Sequence, residues 1–340
     1  MPRASTSFLL AFALVVAGCN NDSRLPQLEL SGSALGTTFS VLLVNPGEGF
    51  SSEHMQAGIL ETLEHVDRLA STWREDSELS QFNASGDTGW IDTSAEFCNA
   101  IERAVEVSRL TDGAFDITIG PLVNLWGFGP TGEVREPPAE DTIRAMMAEV
   151  GYANLQTRCE VPAVKKLIGS IYVDLSGWAK GYAVDQVAML LERNELQDYL
   201  VEIGGEMRVR GHNAEGLKWA VAVETPSTTR RVPHQVLRLT DTGIATSGDY
   251  RNYFEHDGEL YSHTLDARTG RPVTHSLAAV TVVNPSAAYA DAMATALLVL
   301  GPTDGPQRAE QLGIAAYFLI RNDTNFETIT TATFDRLTPS

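Results

Sequence analysis

The segment AYADAMATALLVLG, residues 288 to 301, places Asp291 and Thr295 four positions apart, so on a helix both side chains share one face. Nearly every other residue there is Ala, Leu, Met or Val, and a carboxylate buried among them needs a partner. A hard cation such as magnesium, which takes oxygen ligands, is one such partner. The plainer alternative is an aspartate capping the helix start, with Thr295 bonded back to a carbonyl. In VDLSGWAKGYAVD, 173 to 185, a strand ending at Asp174 runs through Ser176-Gly177 into a helix that starts near Trp178. Free backbone N–H groups at such a helix start suit an anion, and Lys180 would add positive charge in the first turn. An N-capped helix with a solvated lysine fits the same residues.

YSHTLDARTG, 261 to 270, sets His263 between a serine and a threonine, ahead of a carboxylate and a glycine turn. Ser247, His263 and Asp266 have the residue types of a hydrolase triad, but no G-x-S-x-G surrounds a serine. His256 and His275 read as structural. In DGAFDITIGPLVNLWGFG, 112 to 129, glycine and aromatic residues interleave with Asp116 and Asn124. That mixture suits a loop closing over a flat ligand, or a turn-rich packing segment. STWREDSELSQFN, 71 to 83, offers Trp73 just past a helix as a second flat surface, for stacking or for packing.

These residues need elements to position them. GTTFSVLLV, 36 to 44, is β-branched and apolar and predicts a strand. Met55, Ile59, Leu60, Leu63, Val66 and Leu69 recur at helical spacing within 53 to 70. Further helices fit 95 to 110 and 139 to 150, the second behind Pro137-Pro138. IYVDLSG reads as strand-like and runs into the helix AKGYAVDQVAMLLERN. Strands are expected at 199 to 203, 206 to 210, 219 to 223 and 235 to 239, and Asp257-Gly258 signals a hairpin between about 250 and 263. AVTVV predicts a buried strand, the Asp291 segment a buried helix, and IAAYFLI a late strand. Strands and helices mix without regular alternation, so the expected fold class is α+β rather than a doubly wound sheet.

The chain has 340 residues, 43% hydrophobic and 20% charged, with ample apolar material for a core. A formal net charge of -19 argues against nucleic-acid partners, since nothing would neutralise phosphates electrostatically. At the N-terminus, SFLLAFALVVAGC follows Arg3 and is too short to span a bilayer as a permanent helix. Its end, Val16-Ala17-Gly18-Cys19, resembles a bacterial lipobox, which implies cleavage after residue 18 and a lipid on Cys19. A simple secretory signal with an incidental cysteine is the alternative. Asn20 in place of an aspartate favours the outer membrane. Residues 20 to 32 are polar and read as a tether, ahead of one domain over 33 to 335. That compartment permits a disulfide between Cys98 and Cys159, and two cysteines alone do not decide whether it forms.

Taken in order, GTTFSV, STWREDSELSQFN, GAFDITIGPLVNLWGFG, VDLSGWAKGYAVD, VEIGGEMRVRG, ATSGDYRNYF, SHTLDARTGRP and DAMATAL resemble the ApbE family of flavin transferases, from about residue 30 to beyond 320. The resemblance implies an α+β arrangement related to the T-fold, with its active site in a cleft. It implies magnesium-dependent cleavage of FAD at the pyrophosphate and attachment of FMN, through a phosphodiester, to a threonine or serine of a target protein. Targets would be flavin-acceptor subunits of membrane redox complexes of the Nqr and Rnf types, met at the periplasmic side by a lipid-anchored enzyme. Asp291, Thr295 and the Gly177 carbonyl match the family's metal ligands. Leu35, Trp73, Ala114, Phe115, Asp116, Asp174, Lys180, His263 and Thr264 match positions that contact FAD, and His263 also matches the proposed catalytic base. Leu35 stands where methionine is common, Trp73 where tyrosine is common, Ala294 where some members have an acidic residue, and Ala267 where proline is usual. The same site with water as acceptor would be an FAD pyrophosphatase, and without chemistry a flavin-binding lipoprotein.

Overall fold

The computed structural model describes residues 24–132, 134, 136–226, 232–249, 253–322 and 325–337. The leader, Cys19 and the first tether residues lie outside the described residues. Apolar residues at period two build the central sheet: β1 (Gln27–Ala34), β2 (Thr37–Val44), β3 (Tyr199–Ile203), β4 (Glu206–Arg210), β5 (Thr242–Gly248), β6 (Leu277–Asn284), β7 (Ala315–Arg321) and β8 (Phe326–Thr330). They lie side by side in that order, and each neighbouring pair is antiparallel. The α+β expectation therefore holds.

Among the described residues eight α-helices accompany the sheet: α1 (Ser52–Ala70), α2 (Glu78–Ala84), α3 (Ala95–Leu110), α4 (Gly120–Leu125), α5 (Glu140–Met147), α6 (Ser176–Arg193), α7 (Ala287–Gln311) and α8 (Ala332–Leu337). Six of them fall between β2 and β3. Val280, Val282, Ala316 and Phe318 face a core shared with α3 and α7, while Ala279, Val283, Ala315, Tyr317 and Leu319 face the opposite core. That second face is covered by the ribbon Trp219–Glu224/Pro233–Leu239 and by Phe334 of α8. Strand β6 is thus buried on both faces, which explains its unbroken apolar run.

The structure corrects several expectations. Strand β1 begins at Gln27, so the tether ends earlier than residue 32; only Leu30 of that edge strand is fully buried, which leaves its apolar signal weak. The segment 171–175 is no sheet strand, although Ile171, Val173 and Leu175 are all buried, and α6 opens at Ser176, ahead of Trp178. Helix α7 continues past residue 301 to Gln311, with a break at Gly301, whose φ of 81° leaves the helical region. Cys98 and Cys159 form a disulfide, with Cα atoms 5.5 Å apart, tying α3 to the turn after the strand Leu155–Arg158.

Candidate active site

A cavity of about 1000 Å³ opens where β5 and β6 meet α6, α7, the β1–β2 turn and the 219–239 ribbon. At its base are two buried carboxylates around one ammonium. Lys180, in the first turns of α6, places Nζ 3.1 Å from Glu206 Oε1 and 3.6 Å from Asp291 Oδ2. Glu206 and Asp291 are 3% and 2% exposed, so both charges depend on these contacts. Burial pushes the Glu206 carboxyl up to about 7; Lys180 opposes the rise and Asp291 adds to it. Burial alone would lower Lys180, but the carboxylates of Asp291 and Glu206 outweigh it and hold the ammonium above the usual lysine value. Lys180 can reach this position because Gly204, in the turn between β3 and β4, has no side chain: a Cβ there would lie 3.2 Å from Lys180 Cδ.

Asp291 is aimed by the backbone around it. Asp185 of α6 accepts hydrogen bonds from Ser286 Oγ (2.8 Å), Ala287 N (3.0 Å) and Ala288 N (3.1 Å), which caps α7 and fixes its first turn. Gly181 N donates to Asp291 Oδ2 at 3.1 Å. The carbonyl of Gly177, four residues back, has two lone pairs and so keeps capacity for a further partner whether or not it accepts from that N–H. A Cβ on Gly177 would lie 3.5 Å from Thr295 Oγ1, which places the Thr295 hydroxyl beside that turn. Ser247 Oγ is 3.0 Å from Thr295 Oγ1. Asp291, Thr295 and Gly177 thus all line the cleft and offer it a carboxylate, a hydroxyl and a backbone carbonyl. An all-oxygen set of this kind fits magnesium better than a softer metal. Glu206 Oε2 is buried with no hydrogen-bond partner among the described residues, a polar atom awaiting company in the same place.

The remaining expected residues line the same cleft. Leu35 and Gly36 form the two-residue β1–β2 turn, with φ of 53° and 70°, a conformation that costs energy at leucine and holds its side chain at the cavity edge. Trp73 is 70% exposed, a free aromatic face at the rim, on a loop pinned by Arg74 to Asp67 and Asp76. Ala114 and Phe115 are buried along one wall. Asp116 is spent internally: Oδ1 accepts from Thr118 N and Oγ1, and Oδ2 from Tyr152 N. Burial raises its carboxyl, and those bonds pull the other way. Asp174 accepts from Ser176 N at 2.8 Å, which shapes the start of α6.

His263 follows the hairpin Tyr253–His256/Glu259–Ser262 directly, and Thr264 is buried beside it. Trp126 and Phe254 stack on Tyr261 at 5.7 and 5.0 Å, bracing the hairpin against α4 and α5. The ring of Phe128 meets His263 edge-on at 6.3 Å. The triad of Ser247, His263 and Asp266 does not assemble as one, because Ser247 pairs with Thr295 and Asp266 with Arg268. Among the other histidines, His256 contacts Asp257 at 3.4 Å. His275 packs at the Gly301 break.

Sequence reading missed Glu206 and Ser247. The signal for Glu206 was present in VEIGGEMRVRG, where a carboxylate directly after two turn glycines opens a strand. Ser247 was considered only as a nucleophile.

Fold and cleft define a class: an antiparallel α+β unit whose large cavity holds the buried Lys180, Glu206 and Asp291 cluster. The ApbE family model matches residues 35–318. A Haemophilus influenzae protein named FAD:protein FMN transferase is 40% identical over 97% of this chain and 96% of its own. An Escherichia coli protein of the same name is 37% identical over 94% of this chain and 93% of its own. The solved flavin transferase ApbE of Vibrio cholerae superposes with a TM-score of 0.85 at 37% identity, covering 92% of this chain and 99% of that one. Pseudomonas stutzeri flavinyl transferase ApbE gives 0.85 at 38% identity, over 93% of this chain and 98% of that one. The chain belongs to the ApbE family.

Proposed function

We propose that this protein is an FAD:protein FMN transferase that uses magnesium and acts, lipid-anchored at Cys19, on flavin-acceptor subunits of membrane redox complexes at the periplasmic side. The observation that supports the reaction is that Asp291, Thr295 and Gly177, which offer a carboxylate, a hydroxyl and a backbone carbonyl oxygen, line one cavity of about 1000 Å³ together with His263. A cavity of that size is large enough for a dinucleotide. A magnesium ion held by those three oxygens would neutralise charge on the pyrophosphate as it splits. Lys180 balances Glu206 and Asp291 at the same wall, and Trp73 offers its exposed face to the isoalloxazine.

The acceptor hydroxyl attacks the FMN phosphorus, the bond from that phosphorus to the bridging oxygen breaks, and AMP departs with that oxygen. His263 takes the proton of the hydroxyl as the new phosphodiester forms. The stacked hairpin fixes the histidine backbone, which limits the orientation the acceptor must adopt. Support for the lipid anchor is the Val16-Ala17-Gly18-Cys19 ending of the leader. The Cys98–Cys159 disulfide fits an oxidising compartment.

The test is incubation of the protein with FAD, magnesium and a flavin-acceptor domain, reading covalent flavin fluorescence on a denaturing gel and AMP in solution. A fluorescent acceptor band with matching AMP is expected. AMP without a band, across several acceptors, would replace the transferase by a pyrophosphatase.

A further inference from the structure

Ile171, Val173 and Leu175 are buried, yet among the described residues the segment pairs with no strand. Its N–H and C=O groups still require partners. Asn83, in the last turn of α2, supplies them for Val173: Nδ2 donates to the Val173 carbonyl and Oδ1 accepts from the Val173 N–H, both at 2.8 Å. One primary amide thereby does what a neighbouring strand would do. Beyond Val173 the chain has little slack. Asp174 N donates to Ile117 O at 2.7 Å, and the Leu175 carbonyl accepts from Trp178 N and Ala179 N as α6 begins. Gly177 lies four residues after the clamped peptide.

Asn83 is itself held from behind. Lys166 is fully buried and donates to Ser85 O at 2.7 Å and Asn83 O at 3.3 Å, with its ammonium 4.6 Å from the centre of the Phe82 ring. A cation at a helix C-terminus is favourable, so the end of α2 is a fixed point.

We infer that Asn83 is a positioning residue of the reaction, setting through Val173 the place of Asp174 and the direction of the Gly177 carbonyl toward the cation. The inference rests on the reading of that carbonyl as a magnesium ligand. An apolar side chain could fill the same volume, but it could not hold the peptide. The consequence is specific: losing the amide loosens cation binding rather than the fold as a whole.

The test uses Mn2+ as a paramagnetic probe, with free ion counted by electron spin resonance, on the wild type, Asn83→Ala, Asn83→Asp and Leu79→Ala. Leu79 is fully buried on α2 and serves as the stability control. Asn83→Ala is expected to weaken Mn2+ binding about tenfold or more, as loss of a ligand-orienting partner does. Asn83→Asp keeps the acceptor for the Val173 N–H but turns a carboxylate oxygen toward the Val173 carbonyl, so it too should weaken Mn2+ binding. Leu79→Ala should lower urea stability yet leave Mn2+ affinity within about twofold, because it keeps the Asn83 amide that holds the Val173 peptide. Unchanged affinity in Asn83→Ala, an equal shift in Leu79→Ala, or a wild type that binds no Mn2+ would overturn the inference. AMP release from FAD is followed in parallel. A wild type that binds Mn2+ without cleaving FAD, while the variants order as above, would remove the proposed reaction and leave the positioning role standing.

Discussion

Lys180→Met removes the one ammonium between Glu206 and Asp291, and the size of the effect follows from the distances. At 3.1 and 3.6 Å, and an effective dielectric of about 20, each pairing is worth about 5 kcal/mol of gross Coulomb energy. About a third of the Lys180 side chain is open to solvent, so screening reduces both. Stripping a buried ion cluster of one partner typically costs about 3–5 kcal/mol, and with that screening we expect a loss of about 3 kcal/mol at pH 8 without metal. The loss must depend on pH. Burial has raised the Glu206 carboxyl to about 7, above its unfolded value near 4.5, so its contribution to stability is fully present below that unfolded value and fades as pH rises through 7. Without the lysine that carboxyl rises further, and at pH 5 it carries a proton that relieves repulsion with Asp291. The deficit of Lys180→Met should therefore shrink to about 1 kcal/mol at pH 5. Urea unfolding in EDTA at the two pH values, followed by tryptophan fluorescence, measures both numbers. A deficit under about 1 kcal/mol at pH 8, or the same deficit at both pH values, would refute the picture of one ammonium serving two buried carboxylates.

His263→Ala should lower flavin transfer by about 10²–10⁴-fold while FAD binding, read by flavin fluorescence, stays within about threefold; unchanged transfer would exclude the histidine as base. Gly181→Ala would put a Cβ 2.3 Å from the Ala287 carbonyl oxygen, where α6 crosses the start of α7. We expect a loss of about 2–4 kcal/mol in urea unfolding together with weaker cation binding, since the same step moves Asp291. Reducing Cys98–Cys159, which spans 61 residues of chain, should lower stability by about 2–4 kcal/mol; unchanged unfolding after dithiothreitol would show that the bond adds nothing.

What the sequence conveyed was mostly burial. The run at β6 could be read because both faces of the strand are covered, and α1 because its apolar stripe recurs at helical spacing. The same signal misled at 171–175. Alternating burial of Ile171, Val173 and Leu175 looks like a strand, yet periodicity reports which side chains are covered and not what the backbone pairs with. Strand β1 failed in the opposite way, being paired along its length with almost nothing buried. At the site, the shared face of Asp291 and Thr295 followed from helical spacing alone. The meeting of Lys180 with Glu206 did not, because it depends on a glycine turn between two strands and on where α6 crosses them. His263 could be singled out only through its motif; nothing local separates it from His256 or His275.

The site draws on segments from Leu35 to Thr295, and Asp291 and Thr295, the side chains proposed to hold the cation, arrive on α7, the last of those segments. A nascent chain that has emerged only through β6 holds most of the cavity wall but neither Asp291 nor Thr295. Under the proposed reaction such a chain lacks both side chains that would hold the cation, and it should meet FAD without consuming it. The order of the elements themselves would then postpone catalysis until α7 is made.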